Sequence, residues 1–353
     1  MEKVKKLLRN LILFIVLIVL TFYIILKDQD ISGIMKIIVD AKKEFMLIGV
    51  LAMCIYVICE AVNIGRTLKA LNEKSNFLKN VKYALIGFFF SAITPAASGG
   101  QPMQIYYMHK EKISVANATL ALLINLTCVQ IVTLSIAFMS LIFNYKYLNT
   151  GLIWLFVIGV TLNLSALALL LISIFTKRMT EGLINLTVKI LKIFKIKNIE
   201  EKENKIRNEL TKYQGNAEYI KKNKLVILKN LITTYVQYIL FYSVSYWVYC
   251  AFGLSQHNVL EVITMQAILY ATVSGIPSPG AVGVTEGGFI AIFSNLFPKN
   301  MLESAMMLNR GINFYLLVAI SAIVVIINVL KDKKEEKENE QVEIVQDEKV
   351  EKN

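Results

Sequence analysis

GFFFSAITPAASGGQPMQIYYMHK, residues Gly87 to Lys110, is an apolar stretch broken at its middle by two prolines and a Ser-Gly-Gly, and it decides the fold. Pro95 and Pro102 cannot sit in an undisturbed helix, because proline lacks the amide N–H and its ring clashes with the preceding turn. Thr94, Ser98, Gly99, Gly100, Gln101 and Gln104 cluster around them. A second stretch, GIPSPGAVGVTEGGFIAIF from Gly275 to Phe293, repeats this grammar with Pro277, Ser278, Pro279, Gly280, Gly283 and Glu286. Unwound backbone at membrane depth is tolerated only where protein buries it or a watered cavity receives it. Glycines in such breaks permit close approach of a ligand or of a neighbouring helix. Helices that restart after a break turn N–H groups and a positive dipole end toward the gap, which suits a phosphate or carboxylate.

The rest of the chain sets these two stretches in a membrane. Of 353 residues, 56% are hydrophobic and only 18% charged, and the mean hydropathy is +0.55, which is not a soluble composition. The net charge of +12 belongs in the loops of a membrane protein, so nucleic acid is not an expected partner. Cys54, Cys59, Cys128 and Cys250 lie in apolar runs without a CxxC pair, and His109 and His257 are far apart. Neither a disulfide framework, nor a metal site, nor a cofactor is expected.

Six stretches are long and apolar enough to cross: Leu7 to Leu26, Phe45 to Ile64, Ser114 to Phe143, Gly151 to Phe175, Leu231 to Phe252 and Ser304 to Leu330. The first follows Lys3, Lys5, Lys6 and Arg9 as a secretory signal would, but no small-residue cleavage site comes after it, so an uncleaved helix is expected. Between Lys177 and Asn230 stand fourteen Lys or Arg against six acidic residues, which places this loop, 177–230, in the cytoplasm. Counting crossings from a cytoplasmic N-terminus leaves Tyr83 to Met108 with both ends inside and Leu260 to Phe297 with both ends outside. The expected fold class is therefore all-α and polytopic, with about six full spans and two Pro/Gly-broken re-entrant hairpins entering from opposite faces. The order of elements suggests an inverted repeat with halves near 1–143 and 151–330, an architecture in which transporters keep a midplane site. Residues 331–353 read as a charged, disordered tail.

TPAASGGQPMQ and PSPGAVGVTEGG resemble the two signature segments of the transmembrane region of the lysylphosphatidylglycerol synthase family, also described as flippase-like membrane proteins. The likeness runs from the first span to about Leu330 and includes the basic connection after the second span and an Arg in the last. In larger members, similar to the multiple peptide resistance factor, this region joins a soluble aminoacyl-transferase domain. The resemblance implies movement of an aminoacylated phospholipid between leaflets of a bacterial cell membrane, with a separately encoded synthase as an alternative partner; loop charge places both termini in the cytoplasm. Two departures stand out. The segment 331–353 is too short for the transferase domain, so synthase activity is not expected. Where many relatives carry a Glu and a downstream Arg after the first Gly pair, this chain has Gln101 and Gln104.

Ionisable residues in apolar segments are informative, because charge at membrane depth costs at least about 2.5–3.5 kcal/mol. Glu60, Asn63 and Arg66 near the inner end of the second span read either as an interfacial group with snorkelling side chains or as secondary site residues. Glu286 and Arg310 are open to two readings: a pair across the break, or separate contacts with a cationic headgroup and a phosphate. Asn125, Gln130, Gln237, Gln266 and Asn313 read as interhelical hydrogen-bonding groups. Tyr235, Tyr238, Tyr242, Tyr246 and Tyr249 mark one helix face, suited to packing and interfacial anchoring or to a cation. The candidate substrate-binding set is thus Thr94, Pro95, Ser98, Gly99, Gly100, Gln101, Gln104, Pro277, Ser278, Pro279, Gly280, Gly283, Glu286 and Arg310, with a membrane phospholipid as the expected ligand.

Overall fold

A computed structural model describes residues 30–144, 150–176 and 199–332, together with Gly182 and parts of 12–27. Every regular element among them is helical. Among the described residues five helices are long and apolar enough to cross a membrane, and they coincide with five of the six expected spans. The sixth, Leu7 to Leu26, is described only in part and is helical where described. The tail beyond Asp332 lies outside the described residues.

In chain order the elements are α1 (Ile31–Asp40), α2 (Lys43–Ala70), α3 (Phe77–Ala92), α4 (Gly100–Lys110), α5 (Val115–Asn144), α6 (Thr150–Phe175), α7 (Ile199–Lys222), α8 (Lys224–Ala251), α9 (Val259–Val273), α10 (Val284–Phe293) and α11 (Leu302–Arg310). Helix α11 continues through a π-helical stretch, Gly311–Tyr315, into an apolar span that ends at Asp332. The stretch 177–230, read from sequence as a basic loop, is in part the helix α7. That helix docks on the start of α5: the Ala116 N–H donates to Glu209 Oε2 at 2.8 Å and Asn216 Nδ2 to Asn117 Oδ1 at 2.6 Å. A carboxylate at the beginning of a helix satisfies N–H groups that have no partner within it.

Helices α3 and α4 fold back on one another, as do α9 and α10, so both Pro/Gly-broken segments form hairpins. Each opens on an asparagine cap. Asn76 Oδ1 accepts the Lys79 N–H at 2.9 Å, and Asn258 Oδ1 accepts the Glu261 N–H at 3.0 Å while Glu261 Oε2 accepts the Asn258 N–H at 3.2 Å. The two tips are built alike. Thr94 and Ser278 precede 3₁₀ turns, Pro95–Ala97 and Pro279–Ala281, whose first residue is proline. The next two residues are left-handed in both: Ala96 (φ 52°) and Ala97 (φ 53°), Gly280 (φ 59°) and Ala281 (φ 51°). Three of the four are alanines, which pay about 1–2 kcal/mol each for that backbone.

The hairpin tips touch. A Cβ on Gly280 would lie 3.2 Å from the Ala92 carbonyl and would collide with the Phe314 ring. The first hairpin closes in the same way, since a Cβ on Gly100 would meet the Gly87 carbonyl at 2.8 Å and collide with the Ser91 hydroxyl. Around this centre, α2 and α8 form the most extensive helix pair. Leu51, Ile55 and Ile58 of α2, Trp154 and Ile158 of α6, and Ile323, Ile326 and Ile327 of the last span present their side chains outward. These exposed apolar faces are the surface that lipid covers.

Replacing Gly100 by Ala should therefore cost about 1–3 kcal/mol through overpacking. Gly287, exposed on α10 with nothing within 4 Å of a Cβ, is the control, where Ala should be neutral or better by up to about 1 kcal/mol. Thermal unfolding of the two purified variants in detergent checks the contrast, and equal melting temperatures would remove the tight helix contact at Gly100.

Candidate functional site

Two cavities with mixed polar and apolar walls open beside the hairpin tips. The larger, of about 620 Å³, is lined by Ser98, Gln101 and Gln104 of the first hairpin, Tyr56 and Glu60 of α2, Asn125, Gln130 and Thr133 of α5, Asn163 of α6, and Tyr238, Tyr270 and Ser274. A smaller one, of about 200 Å³, is lined by Ser278, Gly280 and Thr285 of the second hairpin and by Arg310, Asn313 and Phe314. They share Tyr56, Phe88, Ser91, Ala96, Ala97, Tyr270 and Ser274 as walls. The exposed faces of Pro95, Ala96, Ala97 and Ser98 thus belong to a break that lines a cavity, as unwound backbone in a membrane must.

Glu286 and Arg310 come together. Arg310 Nε donates to Glu286 Oε1 at 2.8 Å and Nη2 to the Gly280 carbonyl at 3.2 Å. Tyr315 donates its hydroxyl to the same Glu286 oxygen at 2.9 Å, and Glu286 Oε2 accepts the Gly283 N–H at 2.8 Å. Glu286 is fully buried and Arg310 nearly so, with its guanidinium 4.1 Å from the Phe314 ring centroid. Of the two sequence readings the structure selects the pair. The carboxylate also occupies the N-terminus of α10, so that dipole end is compensated from within the chain rather than left open to an anion. Gly283, at φ 86°, adopts a conformation that favours glycine.

The other sequence candidates divide. Ser98, Gln101 and Gln104 face the larger cavity, although Gln104 also ties α4 to α3 by donating to the Tyr83 carbonyl at 3.1 Å. Thr94 holds the first tip: its hydroxyl donates to the Phe90 carbonyl at 2.5 Å and accepts the Gly99 N–H at 2.9 Å. Gly99 and Gly100 serve helix packing, Pro95 and Pro279 start the 3₁₀ turns, and Ser278 donates to the Val282 carbonyl at 2.8 Å. Pro277 is exposed just before the second turn.

Glu60 and Arg66, near neighbours in sequence, part company. Arg66 Nη1 donates to Asn63 Oδ1 (3.0 Å), Asn230 Oδ1 (2.8 Å) and Thr233 Oγ1 (3.1 Å), and Asn63 Nδ2 donates to Thr234 Oγ1 (2.9 Å). They form a polar seam between α2 and α8. Glu60 instead accepts Asn125 Nδ2 at 2.6 Å and Gln237 Nε2 at 3.0 Å and lines the larger cavity. Sequence reasoning did not single out Tyr56, Ser91, Tyr270 or Ser274 as lining residues. A signal existed for one of them, since Tyr56 and Glu60 are four residues apart and share a helix face.

A polytopic helical bundle whose two broken hairpins meet tip to tip beside a cavity carrying polar side chains is the class defined by this geometry. The chain belongs to the family described as the lysylphosphatidylglycerol synthase TM region, whose pattern matches residues 10–321. It is also similar to a UPF0104 membrane protein of Methanothermobacter thermautotrophicus, with 23% identity over 242 residues that cover 67% of this chain and 71% of that protein.

Arg310→Met should destabilise the protein by about 3–5 kcal/mol, because it leaves a buried carboxylate without its cation. Arg310→Met combined with Glu286→Gln should recover part of that loss. Unfolding followed for the single and double variants checks this, and additive losses would mean that the two side chains do not act as a pair.

Proposed function

We propose that this chain moves a phospholipid or similar amphiphile across the membrane, with the headgroup passing through the cavity between the hairpin tips and the acyl chains remaining in lipid. The observation that carries the reading is the cavity of about 620 Å³, lined by Ser98, Gln101, Gln104, Asn125 and Asn163 and enclosed by helices whose outward faces are apolar. Polar groups at membrane depth are costly, and they characteristically mark a substrate path. The matching tips support two halves of opposite orientation, an arrangement that would expose the cavity to each face in turn by rocking one half against the other. On the positive-inside rule, residues 177–230 and both termini lie in the cytoplasm and the cell membrane is the residence. Family membership favours an aminoacylated phosphatidylglycerol as cargo. The substrate-binding residues in this reading are Ser98, Gln101 and Gln104 on one hairpin and Ser278 on the other, with Thr94, Pro95, Gly99, Gly100, Pro277, Pro279, Gly280, Gly283, Glu286 and Arg310 shaping the tips.

Reconstitution into liposomes tests this. Protein-dependent transbilayer movement of phosphatidylglycerol, lysyl-phosphatidylglycerol and a neutral control lipid is expected to be selective. Ser98→Trp, which fills the cavity from its wall, should slow it by about tenfold or more, an increase in barrier of about 1.4 kcal/mol. Aminoacylated lipid formed in cells expressing this chain alone would point to a transferase instead. A stable complex with a synthase, without movement of any lipid by correctly inserted protein, would point to a scaffold subunit.

A further inference from the structure

We propose that Glu60 is the centre of a monovalent-cation site in the larger cavity, able to take a hard alkali ion or the primary ammonium group of a ligand. The carboxylate lies in the apolar span α2, and among the described residues no Lys, Arg or His is within ion-pairing distance of it. Among the described residues it is also the only charged one on the cavity wall. The neighbouring Arg66 is committed to the α2–α8 seam, and Arg310 is held by Glu286.

The hydrogen-bond pattern indicates what is missing. Each carboxylate oxygen accepts one amide N–H: Oε1 that of Asn125, and Oε2 that of Gln237. An ionised carboxylate has about four acceptor positions, so the two oxygens keep unused lone pairs. The same bonds orient the amides. With their NH₂ groups turned to Glu60, Asn125 and Gln237 direct their carbonyl oxygens elsewhere, and neither Asn125 Oδ1 nor Gln237 Oε1 finds a donor. Asn125 is 4% exposed and Gln237 fully buried. Gln130 Oε1, on the same cavity wall as Asn125, is unpartnered as well. Buried acceptors without donors are uncommon and costly, and here they accompany a carboxylate without a counter-charge. A positive group in the cavity would supply the counter-charge that Glu60 lacks and occupy the lone pairs that its two amide partners leave open. Oxygen donors of this kind suit hard cations, and a primary ammonium, which is a donor only, suits the same acceptors.

Aromatic rings add to the field. Tyr56, Tyr238 and Tyr270 line this cavity with Glu60. Their ring centroids are 6.0 Å apart for Tyr56 and Tyr238 and 5.6 Å for Tyr238 and Tyr270. The negative faces of such rings attract a desolvated cation. The site does not depend on the transport reading, because binding is measurable in protein that moves nothing.

The test is the melting temperature of purified full-length protein in detergent, titrated at constant ionic strength, the balance made up with N-methyl-D-glucamine chloride. The titrants are sodium chloride, potassium chloride and ethanolamine hydrochloride. A ligand that binds only the folded state raises the melting temperature saturably, and such a rise is expected for at least one titrant. Saturation by sodium or potassium assigns an inorganic ion, and saturation by ethanolamine alone assigns a headgroup ammonium. Glu60→Gln should weaken the response by about tenfold or more, and Gln130→Leu, which breaks neither amide hydrogen bond of the carboxylate, should weaken it by a few-fold. No saturable response to any of the three in wild-type protein overturns the proposal. So does a response that survives intact in either variant. Should Glu60→Gln fail to fold, the wild-type titrations and Gln130→Leu still decide.

Discussion

Unpaired backbone cannot face hydrocarbon, and the structure is organised around that constraint. Two segments unwind at the centre of the bundle, and each is placed against the other. Gly280 packs on the Ala92 carbonyl, and Arg310 joins the carbonyl of Gly280 to the carboxylate of Glu286, which holds the Gly283 N–H. One side chain from the last span thereby fixes the turn of the second hairpin and the start of its returning helix. Removing the positive charge would leave a buried carboxylate and a loosened turn together.

The clamp also separates two kinds of charge in the interior. Glu286 and Arg310 neutralise one another and define shape. Glu60, one span away, has amide partners and no counter-charge, and it faces open volume. A fully satisfied polar network rigidifies its surroundings, whereas open acceptors in the interior call for an explanation. The left-handed alanines at both tips fit this division, because strained backbone persists where the surrounding packing over-determines it. Here that packing is supplied by the opposite hairpin.

Much of the fold was legible along the chain. The hydrocarbon thickness sets the length of a span, so six apolar runs announced six helices, five of which stand whole among the described residues. Proline and glycine announced both breaks, since their effect on backbone is local. The helix α7 was less visible because its composition is polar and charged. It reads as a loop until Glu209 and Asn216 are seen docked on the start of α5.

Pairings were of another order. The sequence contained Glu60, Arg66, Glu286 and Arg310, and the cost of charge at membrane depth made partners expected, with proximity along the chain favouring Glu60 with Arg66. The tertiary structure instead turned Arg66 toward α8, brought Arg310 to Glu286 across the break, and left Glu60 between two amides. Helix phase and the packing of distant segments decide such contacts, and neither is encoded in spacing over a few residues. Residue types and their order therefore determined that this chain is a membrane protein with two broken hairpins. Only the three-dimensional packing decided which charges are spent on structure and which face the cavity.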